Sequence, residues 1–121
     1  IGMSVATTGG QYDASTTGTI TVSGLSFAPK ALWCLYNVGS SNDASWGYAA
    51  NGHAHAVLLD YEDEGSSWIS DTNYFARASY GSGKFSNLAV SSWDSGGVTI
   101  AKTKNNAAPS STVQYKILLI G

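Results

Sequence analysis

The sequence is dominated by short runs in which apolar and polar residues alternate, separated by clusters of Gly, Ser, Asn and Asp. In residues 19–23, Ile20 and Val22 fall on one face, and no stretch shows helical periodicity bounded by capping residues. The pattern therefore predicts an all-β fold, a single antiparallel β-sandwich or jelly-roll-like domain of about eight short strands spanning residues 1–121.

The clearest strand signals lie near the two ends of the chain. Ala31–Val38 is apolar on both faces, which is typical of a central strand, so Trp33 and Cys34 are predicted to lie in the core, the latter as an inert thiol. In the final strand four residues align on one side: Val113, Tyr115, Ile117 and Leu119. Further strands are predicted at residues 53–61, 73–79, 85–91 and 98–101.

Composition excludes several classes of protein. Seven Tyr, four Trp and three Phe in 121 residues are too many for a disordered chain. The net charge of −2, without a basic run, argues against nucleic-acid binding. No apolar run approaches the length of a membrane span, so no membrane insertion is expected. One cysteine cannot form an internal disulfide, and the start at Ile1 suggests a fragment or a matured piece of a longer protein.

Catalytic and metal-binding motifs are sparse. No serine lies in a nucleophile elbow, so no enzyme activity is predicted. His53 and His55, two residues apart on a strand, would point to one side; three chains around an axis would supply enough ligands for a transition-metal ion. We favour the alternative, two half-buried histidines hydrogen-bonded to neighbours, and expect no other cofactor. The acidic run at 60–64 favours an exposed hairpin loop over a calcium site.

Aromatic residues in polar, glycine-rich surroundings point to binding. Rings supply apolar faces, and neighbouring amides and carboxylates supply hydrogen bonds, a combination that suits sugars and adaptable protein contacts alike. The alternative is that half of these rings cap the ends of the sandwich. The predicted ligand-binding rings are Trp46, Tyr48, Trp68, Tyr74, Tyr80 and Trp93, and their predicted polar partners are Asn42, Asp43, Asp71 and Asn73.

Two segments resemble a recurrent pattern of phage virion domains. Residues 17–33 run from a Thr- and Val-rich strand through Gly-Leu-Ser-Phe-Ala-Pro-Lys-Ala into an apolar strand. Residues 92–100 and 113–117 resemble the closing pattern of the same domains, with Val98 where Phe is usual. The resemblance is to C-terminal β-sandwiches of tail fibres and other virion appendages, some of them similar to H-type lectins. It implies a homotrimer exposed on the virion surface, outside the cell, and it makes a His-x-His metal site on a three-fold axis an option.

The predicted function is that of a non-enzymatic receptor-binding domain of a phage tail fibre, which trimerises and attaches to a host surface glycan or protein. The first alternative is a structural virion module, such as a capsid decoration, head fibre or tail-joining protein, whose rings contact other virion proteins. The second is a cellular lectin-like carbohydrate-binding module.

Overall fold

The computed structural model describes residues 3–38, 44–50, 53–60, 66–71, 74–79, 84–105 and 110–121. Within its strands, only the backbone is described for residues 38, 44, 53–60, 66–71, 79 and 105. This part of the chain contains no helix long and apolar enough to cross a membrane.

Ten strands are found in the described residues, and they form two antiparallel sheets. The six-stranded sheet has the order β1-β10-β3-β4-β5-β6, and the four-stranded sheet has the order β2-β9-β8-β7. The all-β antiparallel sandwich predicted from the alternation is therefore confirmed. The strands are β1 (Val5–Asp13), β2 (Gly18–Val22), β3 (Ala31–Val38), β4 (Ala44–Ala50), β5 (His53–Asp60), β6 (Ser66–Asp71), β7 (Ala76–Ser79), β8 (Phe85–Asp94), β9 (Gly97–Asn105) and β10 (Thr112–Ile120).

One apolar core joins the two sheets. Alternate residues of β3 and β10 point into it, as the sequence predicts for β10, because a two-layer sandwich buries one face of each strand. The four-stranded sheet and the segment before β7 supply the opposite wall. The largest fully buried apolar side chains are Leu32, Phe75, Leu88, Val98, Ile100, Val113, Ile117 and Leu119.

Tyrosine hydroxyls add polar links between the sheets. The hydroxyl of Tyr36 in β3 accepts the backbone N–H of Arg77 at 3.1 Å. The hydroxyl of Tyr12 in β1 accepts a hydrogen bond from the hydroxyl of Ser86 at 3.3 Å. Both tyrosines are buried, so these bonds satisfy polar groups that would otherwise be costly inside the core.

The connection between β2 and β3 crosses from the smaller sheet to the larger one. Gly24 turns the chain with φ of +78°, a conformation that favours glycine. Leu25 and Phe27 then pack against the core, and Pro29 is buried. In this chain the residues of the Gly-Leu-x-Phe-x-Pro segment thus form the turn and the core contacts of this crossover.

Candidate binding face

The outer face of the six-stranded sheet is the most distinctive surface in the described part of the chain. Because the second sheet covers only its inner face, the outward-pointing residues of β10, β3 and β4 meet solvent. Trp33 and Leu35 are 42% and 53% exposed, whereas Leu32 and Cys34 beside them are buried. We call this surface the outer face.

Three apolar side chains form a row across the outer face. Leu118 lies opposite Trp33 in the β10–β3 pairing, and Trp33 lies opposite Tyr48 in the β3–β4 pairing. All three are at least one-third exposed. Directly opposed residues of paired strands stand about 4.5–5.5 Å apart, so these side chains form a continuous patch, which we call the apolar row.

An open groove of about 700 Å³ lies beside the apolar row, two residues further along the strands. Its volume falls within the range typical of small-ligand sites. One register level carries Lys116, Leu35 and Trp46, and the next carries Gln11, Gln114 and Asn37. These two levels thus combine one aromatic ring, one aliphatic side chain, three amides and one ammonium group, and the inward-facing Tyr36 and Tyr115 also line the groove.

Gly9 shapes the groove at the edge strand β1. A Cβ atom at this position would meet Cδ of Lys116 at 2.6 Å and the carbonyl oxygen of Tyr115 at 2.8 Å. The absence of a side chain therefore lets the aliphatic stem of Lys116 lie across β1.

Asn37 carries an unmet hydrogen-bonding group at the groove. Its Oδ1 atom is shielded from solvent and has no hydrogen-bond partner. Leaving a buried acceptor unpaired costs about 1–3 kcal/mol. When a protein retains an unpaired buried polar group despite this cost in stability, a functional role often explains it.

The backbone groups of β10 and β3 in the groove floor are already hydrogen-bonded within the sheet. The strands β10 and β3 are hydrogen-bonded to neighbours on both sides, β10 to β1 and β3, and β3 to β10 and β4. Their N–H and C=O groups are used in the sheet and are not available to an added strand. A ligand that lies over β10 and β3 must therefore be recognised by side chains.

The structure separates the rings predicted to form one binding surface. Trp46 lines the groove, and Tyr48 lies in the apolar row. Trp93 belongs to β8 of the other sheet, where it packs against the core. Tyr74 is buried, with the guanidinium carbon of Arg77 4.1 Å from its ring centroid. Of the predicted rings whose side chains are described, Trp46 and Tyr48 alone are thus brought together on the outer face.

Other predicted site residues lie partly or wholly outside the described residues. The backbone places His55 opposite both Tyr48 and Asp71, and places His53 opposite Ala50. Trp68 and Asp71 lie in β6, and the side chains of these four predicted residues are not described. The remaining predictions fall outside the described residues: Asn42, Asp43, Asn73, Tyr80 and residues 61–64 of the acidic run.

The prediction that Trp33 lies in the core is wrong, because Trp33 is 42% exposed on the outer face and the second sheet covers only the inner face. Sequence reasoning also missed Leu35, Leu118 and the polar groove residues. For two of the polar groove residues, Gln114 and Lys116, the alternation of β10 did contain a signal, because they occupy the positions between its buried residues.

Three titratable groups of the described residues have pKa values far from their usual range. Burial raises the pKa of the Cys34 thiol and of the Tyr36 hydroxyl, each to about 12. The predicted core location of Cys34 is confirmed. Hydrogen bonds, above all from the Ser15 hydroxyl, lower the pKa of Asp13 at the end of β1 to about 2.

Comparisons with known protein families, curated proteins and solved structures give no match for this chain. The resemblance to phage virion domains therefore stays a prediction that rests on the two terminal motifs.

Proposed function

We propose that this chain is a non-enzymatic attachment domain of a phage tail fibre or similar virion appendage, exposed on the virion surface, which binds a host surface glycan or protein through the outer face. The observation that carries the proposal is the groove beside the apolar row, where Trp46 and Leu35 stand among three amide side chains. Apolar rings with a few convergent polar groups are typical of binding sites.

The apolar row supports the assembly part of the proposal. Leu118, Trp33 and Tyr48 leave apolar surface in water on a chain with only 12% charged residues. Contiguous apolar patches of this kind mark contact surfaces, and low charge removes the repulsion that keeps copies apart. We therefore assign the apolar row to contact between copies in the proposed homotrimer, and the groove to the external ligand.

The same row favours a second candidate function. If another virion protein covers it, the chain is a structural virion module, and its contacts are permanent assembly contacts. The two functions differ in what the isolated chain does: an attachment domain binds glycans or host cells by itself, whereas a structural module binds only its virion neighbour.

The test uses the full chain and two tryptophan variants on a glycan array and on host cells, with mass in solution measured by light scattering. Trp46→Ala is expected to abolish most of the binding, because its ring is the only outward-facing aromatic side chain among the groove residues named above. Trp33→Ala is expected to keep the binding site and to weaken self-association. Circular dichroism checks that both variants remain folded.

Two results would contradict the proposal. A wild-type chain that binds neither glycans nor cells, yet docks tightly to another virion protein, identifies the structural module. Binding that survives Trp46→Ala unchanged places the ligand elsewhere on the molecule.

A further inference from the structure

The charge of the groove is opposite to that of the chain. Lys116 contributes an ammonium group, and no carboxylate is present among the described residues that line the groove. The whole chain carries a net charge of −2. The groove is therefore a local positive site on a weakly negative protein, which favours a ligand with an anionic group.

The remaining lining is suited to hydroxyl groups. Gln11 and Gln114 are exposed and lie directly opposite each other, and Asn37 is the next residue across the sheet. A side-chain amide both donates and accepts hydrogen bonds, as a hydroxyl does, so rows of amides and hydroxyls pair well. Trp46 and Leu35 offer apolar surface for the C–H face of a sugar ring.

An extended peptide fits this lining less well than a sugar. Peptides that bind sheets usually pair with a free strand edge, whereas β10 and β3 in the floor of this groove are paired on both sides and, of the strands that line it, β1 alone has a free edge. The groove offers such a ligand no backbone partner along β10 or β3.

Building on the proposed function, we propose that the groove binds a saccharide that carries a carboxylate, such as a sialic acid or a uronic acid. Lys116 contacts the carboxylate, the amides of Gln11, Gln114 and Asn37 contact hydroxyls, and Trp46 supports the ring. The aliphatic stem of Lys116 rests against Gly9 and limits the positions of the ammonium group.

Calorimetry on the full chain tests the proposal with two matched pairs of probes. One pair is 3′-sialyllactose and its methyl ester, and the other is an oligogalacturonate and its methyl ester; the carboxylates of both esters are neutral. We expect at least one acidic member to bind at least tenfold more tightly than its neutral partner, with an affinity that falls as salt is added.

Lys116→Met is expected to weaken binding of the acidic probe by about five- to tenfold, the range for one exposed charge-assisted contact. Lys104→Met is the matched control, since Lys104 is also exposed but lies on β9 of the other sheet. This control should leave the affinity unchanged.

Asn37→Leu separates binding from folding. The substitution removes an acceptor that has no partner, so the variant should be as stable as the wild type or more stable, while its affinity for the acidic probe falls. A variant that lost both stability and affinity would show that Asn37 acts in the fold, and would remove it from the proposed site.

Several results would overturn the inference. Equal binding of acidic and neutral probes, with no effect of Lys116→Met, refutes the carboxylate specificity and leaves the proposed attachment function standing. Equal losses of affinity in Lys116→Met and Lys104→Met would show that the acidic probe is held by diffuse electrostatic attraction and not at a defined site. Tighter binding of a polyglutamate peptide than of either acidic saccharide identifies an acidic peptide as the ligand. If none of the four probes binds, but the chain still binds glycans on the array or binds cells, the acidic saccharide is refuted and the proposed attachment function remains.

Discussion

The two leucines of β3 give the most direct test of which face of the six-stranded sheet is covered. Leu32 is 2% exposed and Leu35 is 53% exposed, although they are only three residues apart on one strand. Truncating each to alanine removes the same atoms from two different environments. The pair therefore reports on burial, with residue type and strand held constant.

The expected costs follow from the exposures. Leu32→Ala removes a fully buried side chain and leaves a cavity, which costs about 2–5 kcal/mol. Leu35→Ala removes a side chain that is about half buried, with no cavity, so it loses about half of the 1.5–3 kcal/mol that full burial provides, or about 1 kcal/mol. For a chain of this size, about 1 kcal/mol shifts the melting temperature by about 3–6 °C.

Urea denaturation of both variants at two protein concentrations measures the difference. Leu32→Ala should lower the free energy of unfolding at least twice as much as Leu35→Ala, with an unchanged m-value. A Leu35→Ala loss that grows with protein concentration would show that a second copy covers Leu35, and would contradict the assignment of the groove to an external ligand. Equal losses that do not depend on concentration would refute the one-sided burial of β3.

Three further predictions concern the fold. Gly97→Ala should lower the free energy of unfolding, measured by urea denaturation, by more than about 2 kcal/mol. The reason is that the added Cβ would lie 1.8 Å from the Val22 carbonyl oxygen, a backbone atom that cannot move aside. A loss below about 0.5 kcal/mol would contradict this prediction. The low pKa of Asp13 adds stability that is fully present above about pH 4 and is lost as the pH falls towards 2. The difference in free energy of unfolding between the wild type and Asp13→Asn should accordingly shrink over that interval. A constant difference would show that the ionised Asp13 carboxylate does not stabilise the fold. Cys34 should react with a thiol reagent at pH 8 only after denaturation, and rapid native reaction would show that the thiol is accessible.

Local sequence patterns predicted the strands that build the core. The predicted limits of β3 match the structure, and the four residues predicted to share one side of β10 are all buried. The strand β1 was missed because Thr-Thr-Gly-Gly has little apolar alternation. The strand β4 was missed because Ser-Trp-Gly-Tyr resembles a binding loop. Both strands have small or polar residues where strand signals require large apolar ones.

The groove could not be predicted in the same way. Its residues come from β1, β3, β4 and β10, and they meet only through the register of non-local strand pairs. Period-two alternation states that Gln114 and Lys116 share a face, but it does not place Gln11 or Asn37 beside them. The error at Trp33 has a related origin, since a strand with two apolar faces is equally consistent with a second covering layer and with a contact surface.

The burial of β3 also links the fold to the proposed function. A strand in the middle of a sheet needs one apolar face for the core, and β3 has this in Leu32, Cys34 and Tyr36. Trp33 and Leu35 on its other face are therefore not required by the sandwich itself. Large apolar side chains that stay exposed on a weakly charged chain promote association with other protein molecules, including aggregation, unless a specific partner covers them. The groove begins one register level beyond the apolar row, and the proposed function would divide this sheet face between contact with another protein chain and contact with a hydrated ligand.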